Sequence, residues 1–542
     1  MIITSPYPLS VPDEPMHIIL LKQCLTLYAD DPDRKAFISS EDERNSVDYK
    51  QIHDCSVALS SWFIQEGFRK GDVVLLHVTN CWQFVPCCLA AWSAGLIVSP
   101  ASSSFTEYEL RYQLEDSQAK AIITDQSLLS IARSASRQCQ VKKIICVSKV
   151  DVAGVDDLTS IFANPAHSQY SPVPIEMEKD LLLLPYSSGT SGLPKGVMLS
   201  HRNYVSMLAS YIVKFTEDYK ALGADTFVAP PYAIAMLPFY HAMGMFGMLF
   251  NFYCGTTQIV MNRFDLKTWL KTIQDYEIPM VSVVPAIAAQ LADSPLLDNY
   301  DLSSLMVVAS GSAPLSKGIV AKITKRVPHV RFREGYGMTE LSMASHMSSL
   351  DTPDGSVGRV MPGMKMKIIN ENGQLCGPYE RGEIWMSGPQ VMLGYWRKPE
   401  QTREIFDSDG FMCTGDIGFY DVEGFTFISD RKKELIKVNG KQVSPSEIEA
   451  LLTSLPGISD CCVFGVPDEK YGELPVAYVV SQSIDEQRIH SFVNERLAPH
   501  KRLRGGIKFV DQLPRTSTGK LLRRLVKDEH LKSMRARDRS RL

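Results

Sequence analysis

The chain has 542 residues, 45% hydrophobic and 22% charged, the composition of a soluble globular protein. That length exceeds one ordinary core, so at least two domains are expected. With 57 basic against 61 acidic residues the net charge is −4, giving no global pull toward nucleic acid or an anionic membrane. Nucleic acid is therefore not expected as a partner.

The opening Met-Ile-Ile-Thr-Ser-Pro has neither the basic start nor the apolar stretch of a secretory signal. The twelve cysteines are irregularly spaced and form no Cys-x-x-Cys pair, so the chain reads as reduced and intracellular. Adjacent Cys87–Cys88 and Cys461–Cys462 lie in apolar runs that suit buried thiols.

Short apolar runs at 73–77, 96–99, 121–124 and 143–147 read as strands, and 82–92, apolar on nearly every side, reads as a buried helix. The run 181–184 leads into Tyr186-Ser187-Ser188-Gly189-Thr190-Ser191-Gly192-Leu193-Pro194-Lys195-Gly196. Small residues there let backbone amides approach phosphate oxygens, hydroxyls donate, and the lysine supplies charge. The loop is not a Walker motif, because Lys195 precedes a glycine instead of Ser or Thr. Residues 233–252 are almost free of charge, yet Pro238 and His241 near the middle argue for a buried pocket wall and against a membrane span. Strands at 280–285 and 305–310, each followed by a helix (from 286, and over 316–326), continue the alternation. This predicts an α/β fold with mainly parallel sheets.

Beyond Gly424 the texture changes. Asn439-Gly440 between apolar-polar runs at 434–438 and 441–443 predicts a tight hairpin. Ser444-Pro445-Ser446-Glu447 predicts a capped helix with a capping box. Strands at 461–466 and 476–480 and a helix over 485–497 complete a compact α+β unit. The domains are accordingly 1–430 and 431–542, divided by the charged run Asp430–Lys433.

The loop 186–196, with the motifs that follow it in order, resembles the adenylate-forming superfamily, which includes acyl-CoA synthetases, 4-coumarate–CoA ligases and firefly luciferase. The resemblance runs from about Ser46 to Val526. It implies a large N-terminal domain of layered sheets and helices that binds AMP and the acyl group, and a small mobile C-terminal α+β domain. ATP, Mg²⁺ and coenzyme A are the implied cofactors and co-substrates.

Residue by residue, the loop containing Ser187, Ser188, Gly189, Thr190, Ser191, Gly192 and Lys195 would hold phosphates, with Thr190 near the metal. In Glu334-Gly335-Tyr336-Gly337-Met338-Thr339-Glu340, Tyr336 would stack on adenine, Thr339 touch the α-phosphate and Glu340 hold magnesium. Many relatives carry glutamine where Glu334 stands. In Thr414-Gly415-Asp416, Asp416 would accept both ribose hydroxyls, helped by Arg431, and Lys433 would be the hinge. Lys520, in Pro514-Arg515-Thr516-Ser517-Thr518-Gly519-Lys520, would be the catalytic lysine. A fixed ammonium there stabilises charge on the attacking carboxylate and α-phosphate. His241, in Leu237-Pro238-Phe239-Tyr240-His241, would gate the acyl pocket opposite Gly311, Ser312 and Ala313. Lys437, Asn439 and Gly440 would line the second-step site and Arg263 meet a CoA phosphate.

The implied enzyme is an acid–CoA ligase, with medium- or long-chain fatty acids the expected substrates. The alternatives are an aryl-propenoic acid ligase, a luciferase-like oxidase and a non-enzymatic acyl or nucleotide binder. The final Ser540-Arg541-Leu542 is a one-residue variant of the Ser-Lys-Leu signal, so a peroxisomal import receptor is an expected partner. Peroxisome, or else cytoplasm, is the expected location.

Overall fold

The computed structural model describes every residue except 188–192, 312–314, 316, 350, 439–440, 469–470, 482, 517–518, 520 and 540–542; side chains of 442 and 535–539 are likewise outside it. Among the described residues, four sheets build a large N-terminal domain and one sheet a small C-terminal domain.

The strand Val73–His77 is buried throughout and lies between parallel Ile97–Pro100 and Ala121–Thr124, with Lys143–Cys146 and Val155–Asp157 continuing outward. A strand covered on both faces needs a continuous apolar run, and that is its sequence signature. The helix Phe84–Ser93 packs on this sheet with every residue buried. Its Trp92 Nε1 donates to Leu182 O at 2.8 Å, which satisfies the one polar atom of a fully buried indole.

A second parallel set comprises Met280–Val283, Val307–Ser310 and Arg331–Tyr336. The register sets Ser310 beside Glu334, so two of the motifs end at neighbouring strand tips. Carboxyl ends of parallel strands are where ligands bind in open α/β sheets.

Residues 233–252 form two elements, the strand Tyr232–Ala235 and the helix Ala242–Tyr253, separated by the turn holding Pro238. Among the described residues no helix is long and apolar enough to cross a membrane. Gly244 is required here: a Cβ would lie 2.1 Å from Pro238 O, so only glycine lets the helix close onto the turn that carries His241.

The expectation of mainly parallel pairing fails for one sheet. Ile3–Thr4, Lys365–Ile369, Gly382–Ser387, Met412–Tyr420 and Thr426–Arg431 pair wholly antiparallel. Burial alternates along Gly382–Ser387, the period-two pattern of a sheet with one face on the core. Arg431 is the last residue of this sheet and Ile436 the first of the next, leaving 432–435 as the connection.

In the small domain Ile436–Val438 pairs with Lys441–Val443 through Ile436↔Val443 and Val438↔Lys441. The turn residues Asn439 and Gly440 lie outside the described residues. Ser444 caps the helix Pro445–Thr453, its hydroxyl accepting from Glu447 N at 2.9 Å. The reciprocal half of the expected capping box is absent because the Glu447 carboxylate binds Lys501 Nζ, 2.6 Å to each oxygen. All twelve cysteines are free thiols, and both adjacent pairs are buried.

Candidate active site

One cavity of about 1400 Å³ opens between the domains and gathers most of the motif residues. Its nucleotide side is set by a cross-strand pair. Asp416 and Arg431 are direct partners on Met412–Tyr420 and Thr426–Arg431, and Arg431 Nε sits 3.2 Å from Asp416 Oδ1. The Tyr336 hydroxyl donates to Asp416 Oδ2 at 2.7 Å. Charge-assisted bonds of this kind contribute about 1.5–3 kcal/mol each. Burial, and then the Asp416 charge, push the Tyr336 phenol above its ordinary range, so it stays a neutral donor. Arg431, Tyr336, Thr414 and Gly415 line the cavity, whereas Asp416 is buried just behind them.

The phosphate corner centres on Glu340, a buried carboxylate. Its Oε1 accepts from Ser187 Oγ at 2.9 Å and from the Tyr395 hydroxyl at 3.0 Å. Oε2 takes no hydrogen bond from any described residue. Lys195 Nζ lies 4.7 Å from the centre of the Tyr395 ring, a cation–π contact. Burial, and next the Lys433 charge, hold this ammonium below the usual lysine range. Such a cation gains from an anion placed between it and Lys433.

The loop between these groups is braced at both ends. Ser187 pairs with Lys195 across two antiparallel strands. The Tyr186 hydroxyl donates to Asp116 Oδ2 at 2.7 Å, and Tyr112 donates to Pro194 O at 2.7 Å. Lys398 Nζ completes the brace 2.9 Å from Asp116 Oδ1. Ser188, Gly189, Thr190, Ser191 and Gly192 themselves lie outside the described residues.

Glu340 is also the described carboxylate that fits a magnesium ion. Mg²⁺ is commonly held by one or two carboxylates and the substrate's phosphates, not by a protein cage.

The apolar side runs from His241, N-cap of the helix Ala242–Tyr253, past Met243, Phe246 and Phe250. Gly311 and Met343 face it, and Tyr211 and Phe215 from the helix His201–Ala221 extend the apolar wall. The turn before His241 is pinned by Asn80, whose side chain donates to Leu237 O at 3.0 Å and accepts from Phe239 N at 2.9 Å. Ser312 and Ala313 lie outside the described residues. Glu334, Gly335, Gly337 and Thr339 line the cavity, and burial raises the Glu334 carboxyl above its ordinary range.

From the small domain, Lys433, Lys437 and Thr516 border the cavity. A Cβ on Gly519 would stand 2.8 Å from Ala286 Cβ, so this loop meets the large domain directly. Lys520, next in sequence, lies outside the described residues. Arg263 is exposed and does not line the cavity. The sequence pointed to none of Tyr395, Asp116 or Asn80. Each is a single residue in an unremarkable stretch, and only its long-range partner gives it meaning.

One cavity thus joins a polar end at Tyr336, Thr414, Gly415 and Arg431, a corner at Lys195 and Glu340, and an apolar extension past Phe246 and Phe250. The sequence profile described as "AMP-binding enzyme" matches residues 27–396, and that of the "AMP-binding enzyme C-terminal domain" matches 447–520. The chain belongs to this AMP-binding family, the adenylate-forming superfamily. It is 44% identical to acyl-CoA synthetase 7 of Caenorhabditis elegans, over 97% of this chain and 98% of the relative. It is 35% identical to luciferin 4-monooxygenase of Luciola mingrelica, over 89% of each. Among solved structures it resembles ATP-bound MatB from Rhodopseudomonas palustris, with TM-score 0.84 and 27% identity over 94% of this chain and 99% of that one.

Proposed function

We propose that this AMP-forming acid–CoA ligase acts on medium- or long-chain fatty acids. The observation that carries the reading is the apolar extension itself. Met243, Phe246, Phe250 and Met343 continue from His241 away from the phosphate corner. Methionines and aromatic faces adapt to a flexible alkyl chain. The rings of Tyr211, Phe215 and Phe250 pack on one another and give the wall flat aromatic surface, which supports an aryl-propenoic acid as a second reading.

In the first half-reaction the carboxylate attacks the α-phosphorus of ATP and pyrophosphate leaves. Tyr336 packs against the base, Asp416 and Arg431 take the ribose, and Thr339 with the 187–195 loop holds the phosphates. Glu340 and Thr190 would hold a magnesium ion, which would offset phosphate charge. Lys520 stabilises the oxygens on which negative charge gathers. Rotation about Lys433 then withdraws Lys520 and brings the Lys437, Asn439 and Gly440 face to the site, with Arg263 meeting a CoA phosphate. The thiol of CoA adds to the activated carbonyl, loses its proton, and AMP departs. Separating the two steps by domain rotation keeps incompatible groups apart.

The same reading extends to address. Ser540-Arg541-Leu542 supplies a small residue, a cation and a leucine, and on this reading would serve as a peroxisomal import signal.

Pyrophosphate release over a panel of acids, with products identified by mass spectrometry, tests the activity. Fatty acyl-CoA and AMP in equal amounts are expected. An oxygen-dependent oxidised product would assign the chain to the luciferase-like chemistry instead, and no turnover would leave a binder.

A further inference from the structure

The acyl wall contains a buried charge cluster. Arg333 lines the cavity from the strand Arg331–Tyr336, three residues before Tyr336 and so about 10 Å along the strand from it. Its Nη1 donates to Asp218 Oδ2 at 3.0 Å. Asp218 Oδ1 accepts from Lys214 Nζ at 2.6 Å, and Lys214 also donates to Ser349 Oγ at 2.5 Å. Lys214 and Asp218 are buried, one turn apart on the helix that supplies Tyr211 and Phe215 to the same wall.

Asp218 lies between the two cations, and Asp351 is a further anion near Lys214, whose ammonium burial holds below the usual lysine range. One feature of this cluster is unresolved by the protein alone. A guanidinium has five donors, and here Nε is enclosed by protein, while Nη2 is bonded to no described residue and is the donor that can meet a cavity ligand. Buried donors are nearly always satisfied in native proteins, by water or by a ligand where the protein itself supplies nothing.

We propose that Arg333 is a specificity-determining residue that receives an oxygen acceptor at the end of the acid remote from the reacting carboxylate. A hydroxyl, a phenolic oxygen or a second carboxylate all share that chemistry. This rests on the acid–CoA ligase reading and refines its substrate class. A purely hydrocarbon tail leaves Arg333 Nη2 without a ligand partner, whereas an oxygenated tail pairs it. A site built to hydrogen-bond a substrate group discriminates strongly against the analogue lacking it.

Acid-dependent ATP–pyrophosphate exchange tests this with matched sets. One set is a straight-chain acid with its ω-hydroxy and ω-carboxy counterparts of equal length; the other is a phenylpropenoic acid with and without a para hydroxyl. In the unaltered enzyme the oxygenated member of at least one set should be preferred about tenfold or more in kcat/KM. Arg333→Met should bring that ratio toward one, mainly through KM, and Arg333→Lys should retain part of it. Equal use of hydrocarbon-ended acids by the unaltered enzyme overturns the inference without touching the ligase reading, and it needs no variant to fold. A ratio unchanged in Arg333→Met, in protein that still binds ATP, overturns it too. Exchange with no acid at all would sink the ligase reading and this inference together.

Discussion

At the scale of single residues, the site is a set of charges whose partners are fixed before any ligand arrives. Glu340 is held by Ser187 and Tyr395, and Asp416 by Tyr336 and Arg431. Neither carboxylate must reorganise when charge develops, which is how preorganised groups contribute to catalysis. Lys520 is the residue expected to act on the first step alone. Its neighbours Thr516 and Gly519 meet the cavity and the large domain, as a lysine reaching the α-phosphate requires. Lys520→Ala should lower acyl-adenylate formation about a hundredfold or more yet spare thioester formation from supplied acyl-adenylate. Equal loss in both assays would show that the lysine serves folding or both steps. The motif residues were legible because phosphate and ribose recognition concentrates particular residue types in short stretches. Tyr395 and Asp116 were not, since their partners are 55 and 70 residues away.

At the scale of elements, the connection between domains is clamped on both sides of a short gap. On the large-domain side Arg431 is tied to Asp416, and Lys432 Nζ reaches Glu383 Oε2 at 2.9 Å. On the small-domain side Arg523 binds both Glu434 and Glu449 and donates from Nε to Val463 O at 3.0 Å. These clamps leave Lys433 between them, and the rotation proposed above would be confined to the residues around it. Lys433→Pro, which sets φ near −65°, should leave adenylation within a few-fold and cut CoA transfer at least tenfold, read in separate half-reaction assays. The reverse pattern would refute a two-state hinge.

A second element pair contributes to the acid sensitivity of stability, as the buried His77 and His346 also do. His17 on Met16–Asp30 and His201 on His201–Ala221 meet edge to face at 5.7 Å, each with a buried, unbonded Nδ1. Burial lowers them from the ordinary 6.5 to about 4 and about 3 respectively. The unfolded chain therefore binds protons below 6.5 that the folded chain refuses. Stability is complete above that pH and is lost as pH falls toward the folded values. Melting temperature should drop across this window, and less steeply in His17→Leu/His201→Leu. Parallel slopes for the two proteins would place the acid sensitivity elsewhere.

At the scale of the whole molecule, the cavity joins surfaces from both domains, so catalysis and domain arrangement are inseparable. Lys437 and Thr516 border it together. The other whole-molecule property is destination. A fluorescent fusion at the N-terminus, leaving Leu542 free, should be punctate with a peroxisomal marker and turn diffuse when the last three residues are removed. Identical distributions for the two versions would assign targeting to another part of the chain.

The sequence by itself determined the family, the order of the motifs and the division into a large and a small domain. These rest on contiguous residues whose chemistry is local: glycines where backbone must approach phosphate, caps where helices start, apolar runs where strands are covered on both faces. Only the tertiary structure decided which distant groups meet. It joined Arg333 to Asp218 across 115 positions and replaced an expected capping-box bond by Glu447–Lys501. It also made the sheet ending at Arg431 wholly antiparallel. The reason is physical: a buried charge states that it needs a partner but not which one, and packing selects that partner from residues whose separation along the chain carries no information.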